Sequence, residues 1–463
     1  MARRLDVSPS YLNQLEHNRR PLTVPVLLRL AEAFGVDATF FSAQDGSRLI
    51  AELRDALADE AVALDVSAAQ MAELVDDHPE FARALIDLRR RYRDTVAKTS
   101  ALIGGQGLPG ADEALLAMPH EQVRDFFYDR QNYIDPLDRA AEALAQELEL
   151  VSSSDLRLAL ARRLRDQHDV RVVSHGPEAA DGELRSYDPA ARVLRLSAQL
   201  RHGQQAFQLA TQLAFLEHDA LLEQIADSGS FASAETRALA RIGLAHYYAG
   251  ALLMPYAHFL ASAEELHYDI ERLADQFDVG FEVICHRLST LQRPGLRGVP
   301  FSFVRVDRAG NISQRQSATG FHFSRGGGSC PLWNVYEAFT TPGQILTQVA
   351  QMPDGRSYFW IARTVGRKRS GYGQPAKTFA LGLGCELRHA HRLVYSRGLD
   401  LKDPALATPI GMGCKTCERL NCPQRAFPAV SQHLRVDPDR TSFTPYPVLE
   451  EGAGPRPSAA LPT

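Results

Sequence analysis

No apolar run in this chain is long enough to cross a bilayer, and no secretory leader opens it. Neither a membrane anchor nor export is expected, and the chain reads as cytoplasmic. Cysteine is scarce: six thiols in 463 residues, all at or after Cys285. A disulfide scaffold is thereby excluded for the N-terminal half. Neither sign of charge dominates, with 51 Lys and Arg against 56 Asp and Glu and a net charge of −5. Any polyanionic partner must therefore be met by a local basic patch rather than by the whole chain. What remains, 45% hydrophobic and 23% charged residues, fits a chain of several globular domains.

The segment SPSYLNQLEHNRR, starting at Ser8, carries the first specific signal. Ser8 is an N-cap candidate and Pro9 suits the first helical position, where a missing N–H costs nothing. Leu12 and Leu15 would face a small core, which leaves Ser10, Tyr11, Asn13, Gln14 and His17 on the outer faces. Asn and Gln pair with adenine edges, while Arg19 and Arg20 beyond the helix hold phosphates. A polar helix is more often merely solvated, but ARRLDV just upstream and VPVLLRLAEAFGVDATFF just downstream supply the apolar helices of a small bundle. The candidate DNA contacts are Ser8, Ser10, Tyr11, Asn13, Gln14, Arg19 and Arg20, with Arg3 and Arg4 adding positive charge.

That layout resembles the Xre or lambda-repressor-like helix-turn-helix family over residues 1 to about 42. In that family another helix precedes ARRLDV, whereas here Met1 opens inside the second helix. A start codon assigned too late is the preferred account, with a truncated product as the alternative. The chain as it stands is expected to bind an operator weakly.

The pattern divides the chain at 1–45, 46–103, 111–292, 299–433 and 434–463. The second segment reads as helical, either a dimerisation arm or a solvated connector. The Gly-rich run 104–110 marks a boundary, and helices resume over 119–149. In the third segment a helix from Ser153, strand-like RVVSH and RVLRLS, and the apolar strings HGQQAFQLATQLAFLEHDALL and ARIGLAHYYAGALLMPYAHFL follow one another. This order resembles the ImmA/IrrE-type zincin domain. A zincin needs HExxH, two histidines on one helical face with a glutamate beside them, and an acidic ligand on the next helix. Those places read Thr211, Gln212, Leu213, Ala214, Phe215 and Ile242, Gly243, Leu244. The resemblance thus implies a degenerate domain that has lost its zinc. His120-Glu121 lacks a second histidine and is expected on a surface helix. An emptied cleft suits ligand sensing, with Arg195, Arg201, Tyr247 and Tyr248 as candidate contacts.

Beyond residue 299 the texture changes. PFSFVRVDRAGNISQR and QILTQVAQMPDGRSYFWIARTV each predict strand, turn and strand, and KTFALGLG predicts a further strand. A mostly antiparallel sheet with crossing helices is expected, of GAF or PAS general type. The fold class is therefore multidomain: all-α helix-turn-helix, α+β degenerate zincin-like domain, then α+β sensory domain. CKTCERLNC places Cys414, Cys417 and Cys422 where a tight loop can converge three thiols on one centre. A fourth ligand is needed. Cys385 at a strand end is preferred and Cys330 is the alternative, while Cys285 reads as core. Three clustered cysteines ending in Cys-Pro suit a [4Fe-4S] cluster, with zinc as the alternative. His389 and His391, two apart, would diverge on a helix.

The strings QRPG, GVPFSFVRVDRAGNIS, GGSCPLWNVYEAFTTPG, MPDGRSYFWIARTV and PIGMGCKTCERLNCPQRAFP resemble the short-chain fatty acyl transcriptional regulators. The resemblance implies a regulator of acetate or propionate use that senses an acyl-CoA or related metabolite, and the chain is expected to be no enzyme and to bind operator DNA as a homodimer or higher homo-oligomer. A metallopeptidase that cleaves a repressor is the rival reading, disfavoured by the missing HExxH. The tail after about 434, rich in Pro, Gly and Ala, reads as disordered.

Overall fold

The computed structural model describes residues 44–57, 66–103, 119–148, 153–176, 183–319, 321, 329–367, 377–429, 434–436 and 438–447. The candidate DNA contacts, Ser8 to Arg20, lie outside the described residues.

The first described unit is three helices: α1 (Gln44–Leu57), α2 (Ala68–Asp77) and α3 (Pro79–Ile103). Ser67 starts α2 with a reciprocal capping box, its hydroxyl accepting from the Gln70 N–H while Gln70 accepts from the Ser67 N–H. Leu53, Ala56, Met71, Val75, Ala82 and Ile86 close a separate small core. This segment is thus a packed unit rather than a solvated connector. Phe81, Leu88 and Tyr92 on α3 stay exposed. Arg54 and Arg90 tie the unit to the rest of the molecule through Glu418 and Asp125.

The central body holds α4 (Pro119–Tyr128), α5 (Asp135–Glu147), α6 (Ser153–His168), β1 (Arg171–His175), β2 (Arg185–Asp188), β3 (Val193–Ser197), α7 (His202–Glu217) and α8 (Asp219–Asp227). It continues through α9 (Ala234–Leu253), α10 (Tyr256–Glu265), α11 (Ile270–Phe277) and α12 (Phe281–Ser289). The small sheet runs β1-β3-β2, parallel then antiparallel. Helices α7 and α9 pack together at the centre, where Ala210, Leu213 and Ala214 meet Leu244, Ala245 and Ala249 at full burial. Alanine lets the two backbones approach closely. Each long apolar string is broken once. The first breaks at His218, whose N–H caps the Ala214 carbonyl and whose ring pairs with the Tyr248 hydroxyl at 3.1 Å. The second breaks at Pro255, which cannot continue a helix.

The C-terminal sheet comprises β4 (Ser302–Val306), β5 (Ile312–Ser317), β6 (Leu346–Gln351), β7 (Ser357–Arg367), β8 (Lys377–Glu386) and β9 (Ala407–Pro409), in the order β5-β4-β8-β7-β6-β9. All pairs are antiparallel except β6 with β9. The two predicted strand–turn–strand strings and the further strand KTFALGLG all become strands of this one sheet. The expected crossing helices do not appear among the described residues of this segment, which holds one short helix, α13 (Asn334–Glu337), and 3-10 turns. Helices of the central body cover the sheet instead. Alternation explains why. Phe303, Phe359, Ile361, Leu381 and Leu383 point into the central core, while Val304, Tyr358, Trp360 and Ala362 point into a second core with Trp333 and Val335. On that second face β8 carries Gly382 and Gly384. A Cβ at Gly384 would stand 2.5 Å from the Trp360 indole, so glycine there makes room for the tryptophan. The expected break between 292 and 299 is bridged by one continuous core, with Tyr268 on Phe301 and His286 on Phe303 at ring separations of 5.7 and 4.6 Å.

Candidate ligand cavity and cysteine centre

Where a zincin would hold its metal, this chain places an arginine. Arg185 on β2 donates to the Gln212 carboxamide oxygen at 2.6 Å, and its guanidinium lies 5.6 Å from the Phe215 ring. Arg241 approaches the same ring at 5.3 Å. Thr211 spends its hydroxyl on the Phe207 carbonyl one turn back. A cation fixed at this position disfavours a metal cation beside it.

Beside the relic lies a cavity of about 840 Å³, between α4, α9, α12 and the β4–β5 hairpin. That volume suits a sizeable small molecule. One stripe of α9 forms the floor: Gly243, His246, Tyr247, Gly250 and Met254 recur at helical spacing. Arg124, Arg305 and Arg315 line the walls with Phe127, Phe207 and Val283. Arg124 contacts Glu121 and Asp125 at 3.3 and 3.0 Å, and Arg305 contacts Glu282 at 2.7 Å. The wall is therefore cationic but braced. The surrounding cavity walls and the nearby Arg185 and His286 push His246 down to about 4, although the ring itself is open to solvent in the cavity. His120 and Glu121, expected on a plain surface helix, line this cavity. His120 is exposed, as expected of a surface helix, and the cavity opens along this face of α4.

Under the floor sits a buried ion pair. Arg287, 3% exposed, donates from Nη2 to Asp138, 0% exposed, at 2.6 Å. The same guanidinium also reaches the Met254 carbonyl at 3.0 Å and the Thr290 hydroxyl at 3.1 Å. Burial alone would lower the Arg287 pKa, but Asp138 more than reverses this and raises it. Tyr247 donates to Asp138 and accepts from the Ile134 N–H, and burial pushes its phenol well up. Of the four ligand candidates, only Tyr247 lines the cavity. Tyr248 is fully buried against His218, and Arg195 and Arg201 are exposed elsewhere. Asn132 was missed by sequence reasoning. It lines the cavity, is 1% exposed, and neither polar atom of its carboxamide has a hydrogen-bond partner.

Cys414, Cys417 and Cys422 rim a second, small pocket, and the cysteine that joins them is Cys330. Cys385 does not. It lies on β8, on the same face as Leu381 and Leu383, opposite Phe359 and wholly buried in the central core. Strand alternation aims it away from the other thiols. Among the described residues, no three His, Cys, Asp or Glu side chains are drawn together tightly enough to hold an ion as they stand. The surroundings nevertheless fit thiolate ligation. A Cβ at Gly411 would stand 2.5 Å from the Cys417 sulfur, so only glycine leaves that space open. The Ala426 N–H points at the Cys414 sulfur at 3.4 Å. Burial raises the Cys330 and Cys417 thiols, while backbone N–H groups of Gly411 and Leu332, and of Arg419, pull them back down. Arg425, 4% exposed, donates to the Cys414 and Cys417 carbonyls at 3.0 and 3.1 Å and keeps one buried nitrogen, Nε, without a partner. An all-thiol donor set beside a buried cation suits a soft, anionic metal–thiolate group. Cys285, expected in the core, is fully buried there.

A helix-turn-helix sequence, a zincin-like body and a sheet module following one another along the chain define a transcription regulator. Family models support each part: helix-turn-helix over 1–41, IrrE N-terminal-like domain over 165–289, and short-chain fatty acyl coenzyme A regulator, C-terminal, over 290–446. The chain belongs to this family of helix-turn-helix regulators. It is 55% identical over 452 residues to the HTH-type transcriptional regulator RamB of Mycobacterium tuberculosis, spanning 97% of this chain and 95% of that one. It is 50% identical over 454 residues to the HTH-type transcriptional regulator PrpR of the same species, at 97% and 92% coverage. It is 44% identical over 449 residues to a propionyl-CoA carboxylase regulator of Cereibacter sphaeroides, at 97% and 95% coverage. A solved Mycobacterium tuberculosis transcriptional regulator superposes with a TM-score of 0.69 at 54% identity, over 71% of this chain and 99% of that one. Among the described residues, no helix is long and apolar enough to cross a membrane.

Proposed function

We propose that this chain is a cytoplasmic, homodimeric regulator of acetate or propionate metabolism that binds operator DNA and takes a short-chain acyl-CoA in the 840 Å³ cavity. The observation that carries this reading is the cavity lining, where three arginines share the wall with Phe127, Phe207 and Val283. Such a lining suits a long ligand with anionic phosphates and an apolar end. The route to DNA is short. Asp125 bonds Arg124 of the cavity wall and pairs with Arg90 of α3 at 3.5 Å, and α1 to α3 follow the helix-turn-helix in the chain. A ligand that favours one position of α4 over another shifts the arm by its differential affinity. The exposed stripe Phe81, Leu88 and Tyr92 on α3 suits the dimer contact. Titrating operator fragment with the full chain, with and without propionyl-CoA at fixed salt, tests the reading.

The same reading gives Cys330, Cys414, Cys417 and Cys422 to a [4Fe-4S] cluster, with zinc as the alternative. Four sulfurs spread around a rim suit a cluster of several atoms better than one ion. When bound, such a group supplies either a rigid fold for the loop or a one-electron redox state. The chain's own part is to hold the thiolates, anchor Cys330 in the core with Trp333 and Ile410, and balance their charge with Arg425. Metal analysis of anaerobically purified protein separates iron from zinc. The rival peptidase reading has no support at Thr211, Gln212 and Phe215, which Arg185 occupies.

A further inference from the structure

A buried carboxamide with neither atom bonded costs several kcal/mol in the free protein, by the usual desolvation scale. Asn132 pays this at 1% exposure. It also holds a left-handed backbone, φ 57°, at the turn after α4. Its N–H is spent on the Phe127 carbonyl at 2.9 Å, and Asn132 and Phe127 both line the cavity. The Phe127 ring is positioned by Gly243, where a Cβ would come within 2.9 Å of it. On the cavity floor Gly250 breaks helix propensity to no packing end, since nothing lies within 4 Å of where its Cβ would be. The cavity lining therefore holds three things: an aromatic ring, a planar donor–acceptor pair without partners, and unfilled room.

An aromatic face with an adjacent donor–acceptor pair is the equipment that reads a nucleobase. Ring faces stack on ring faces, and an Asn carboxamide matches the N6 amino and ring nitrogen of adenine with two parallel hydrogen bonds. A trans amide, by contrast, turns its N–H and C=O to opposite sides and meets only one of the two atoms. We infer that Asn132 reads the adenine edge of a nucleotide-bearing ligand in the cavity, with Phe127 as the stacking face. This rests on the acyl-CoA reading of the cavity and adds which end of the ligand lies at the turn after α4. Arg124, one turn before Phe127, then stands near the phosphates.

The test uses the full chain and two probes in calorimetry: acetyl-CoA, and S-acetyl-4′-phosphopantetheine, which keeps the acyl arm and lacks the nucleoside. Asn132→Gly removes the carboxamide and accepts the left-handed backbone without strain. Asn132→Asp keeps the shape and replaces the donor with an acceptor. The expected result is that both variants weaken acetyl-CoA by roughly tenfold or more, the size of one lost paired base contact. The truncated probe should bind wild type and variants within about twofold of one another. Equal losses on both probes would place Asn132 on the acyl arm and overturn the inference, and so would no loss on either. Wild type that binds neither probe would remove the cavity reading itself, and the inference with it. A melting curve for each variant, unchanged within a few degrees, guards against reading misfolding as lost contact.

Discussion

Arg54 Nε lies 3.2 Å from a carboxylate oxygen of Glu418. The pair joins the helix that follows the helix-turn-helix segment to the loop between Cys417 and Cys422. The arm therefore touches both sites, since Arg90 on the same three-helix unit pairs with Asp125 beside the cavity. The two sites also meet along the chain. Ser329 lines the cavity and Cys330 lines the cysteine pocket.

Because Arg54 and Glu418 are 20% and 43% exposed, their pair is worth about 0–1 kcal/mol in stability. Glu418→Gln should leave the melting temperature within about a degree or two. What it should change is the difference in operator affinity between metal-loaded and chelator-treated protein, which is expected to shrink. An unchanged difference in anisotropy titrations would mean that the loop does not speak to the arm through this pair.

Metal content should separate the two candidate fourth ligands. Cys330→Ser is expected to lose metal to the same degree as Cys414→Ser, measured by elemental analysis per chain. Cys385→Ala should keep its metal and instead lose about 1–2 kcal/mol in urea unfolding, the cost of a small void in a packed core. Metal loss in Cys385→Ala with normal loading of Cys330→Ser would restore the opposite assignment.

The sequence pattern already held the information that decides between Cys330 and Cys385. In ALGLGCE, Leu381, Leu383 and Cys385 fall two apart and share a face, so a cysteine in that row belongs with the leucines and not with the loop. Strand ends and turns of the C-terminal sheet were equally legible, because DRAGN and PDG carry turn chemistry that depends only on neighbours. The loss of zinc chemistry could also be read, since HExxH is a local pattern. Its replacement by Arg185 could not, because β2 and α7 meet only in the fold. Tyr247 and Tyr248 are adjacent on one helix and about 100° apart by helical geometry, so at most one was bound to face the cavity. Nothing in the sequence marks Asn132, whose meaning lies in the partners it lacks. The boundary drawn between 292 and 299, near the 289/290 junction of the family models, gave no hint of the packing across it. Arg293 is held by Glu142 at 2.6 Å and lies 4.1 Å from the Tyr256 ring, contacts with residues distant in sequence.

The Asp138–Arg287 pair under the cavity floor should behave as a buried pair. Asp138→Ala is expected to cost about 3–5 kcal/mol in unfolding experiments, because Arg287 keeps its charge without compensation. A cost below about 1 kcal/mol would show that water reaches Arg287 and that the floor is not dry.

Acid should weaken the fold through His246, and only modestly, because the ring is open to solvent in the cavity. Its folded pKa, about 4, lies below the ordinary 6.5, so the folded state binds fewer protons than the unfolded state between those values. The stability held by the neutral ring is fully present above pH 6.5 and is lost as pH falls towards 4. Melting temperature should drop less steeply over that window in His246→Gln than in wild type. Parallel slopes would place the ring in ordinary solvent.

The central claim is that occupancy of the α4–α9–α12 cavity sets the grip on DNA. Its most direct test is the operator affinity of the full chain at fixed salt, measured by fluorescence anisotropy across a propionyl-CoA titration, in wild type and in Arg305→Ala. The account predicts a saturable change of at least severalfold in wild type, displaced to higher ligand concentration in the variant. An operator affinity that stays flat while calorimetry shows the ligand bound would contradict it.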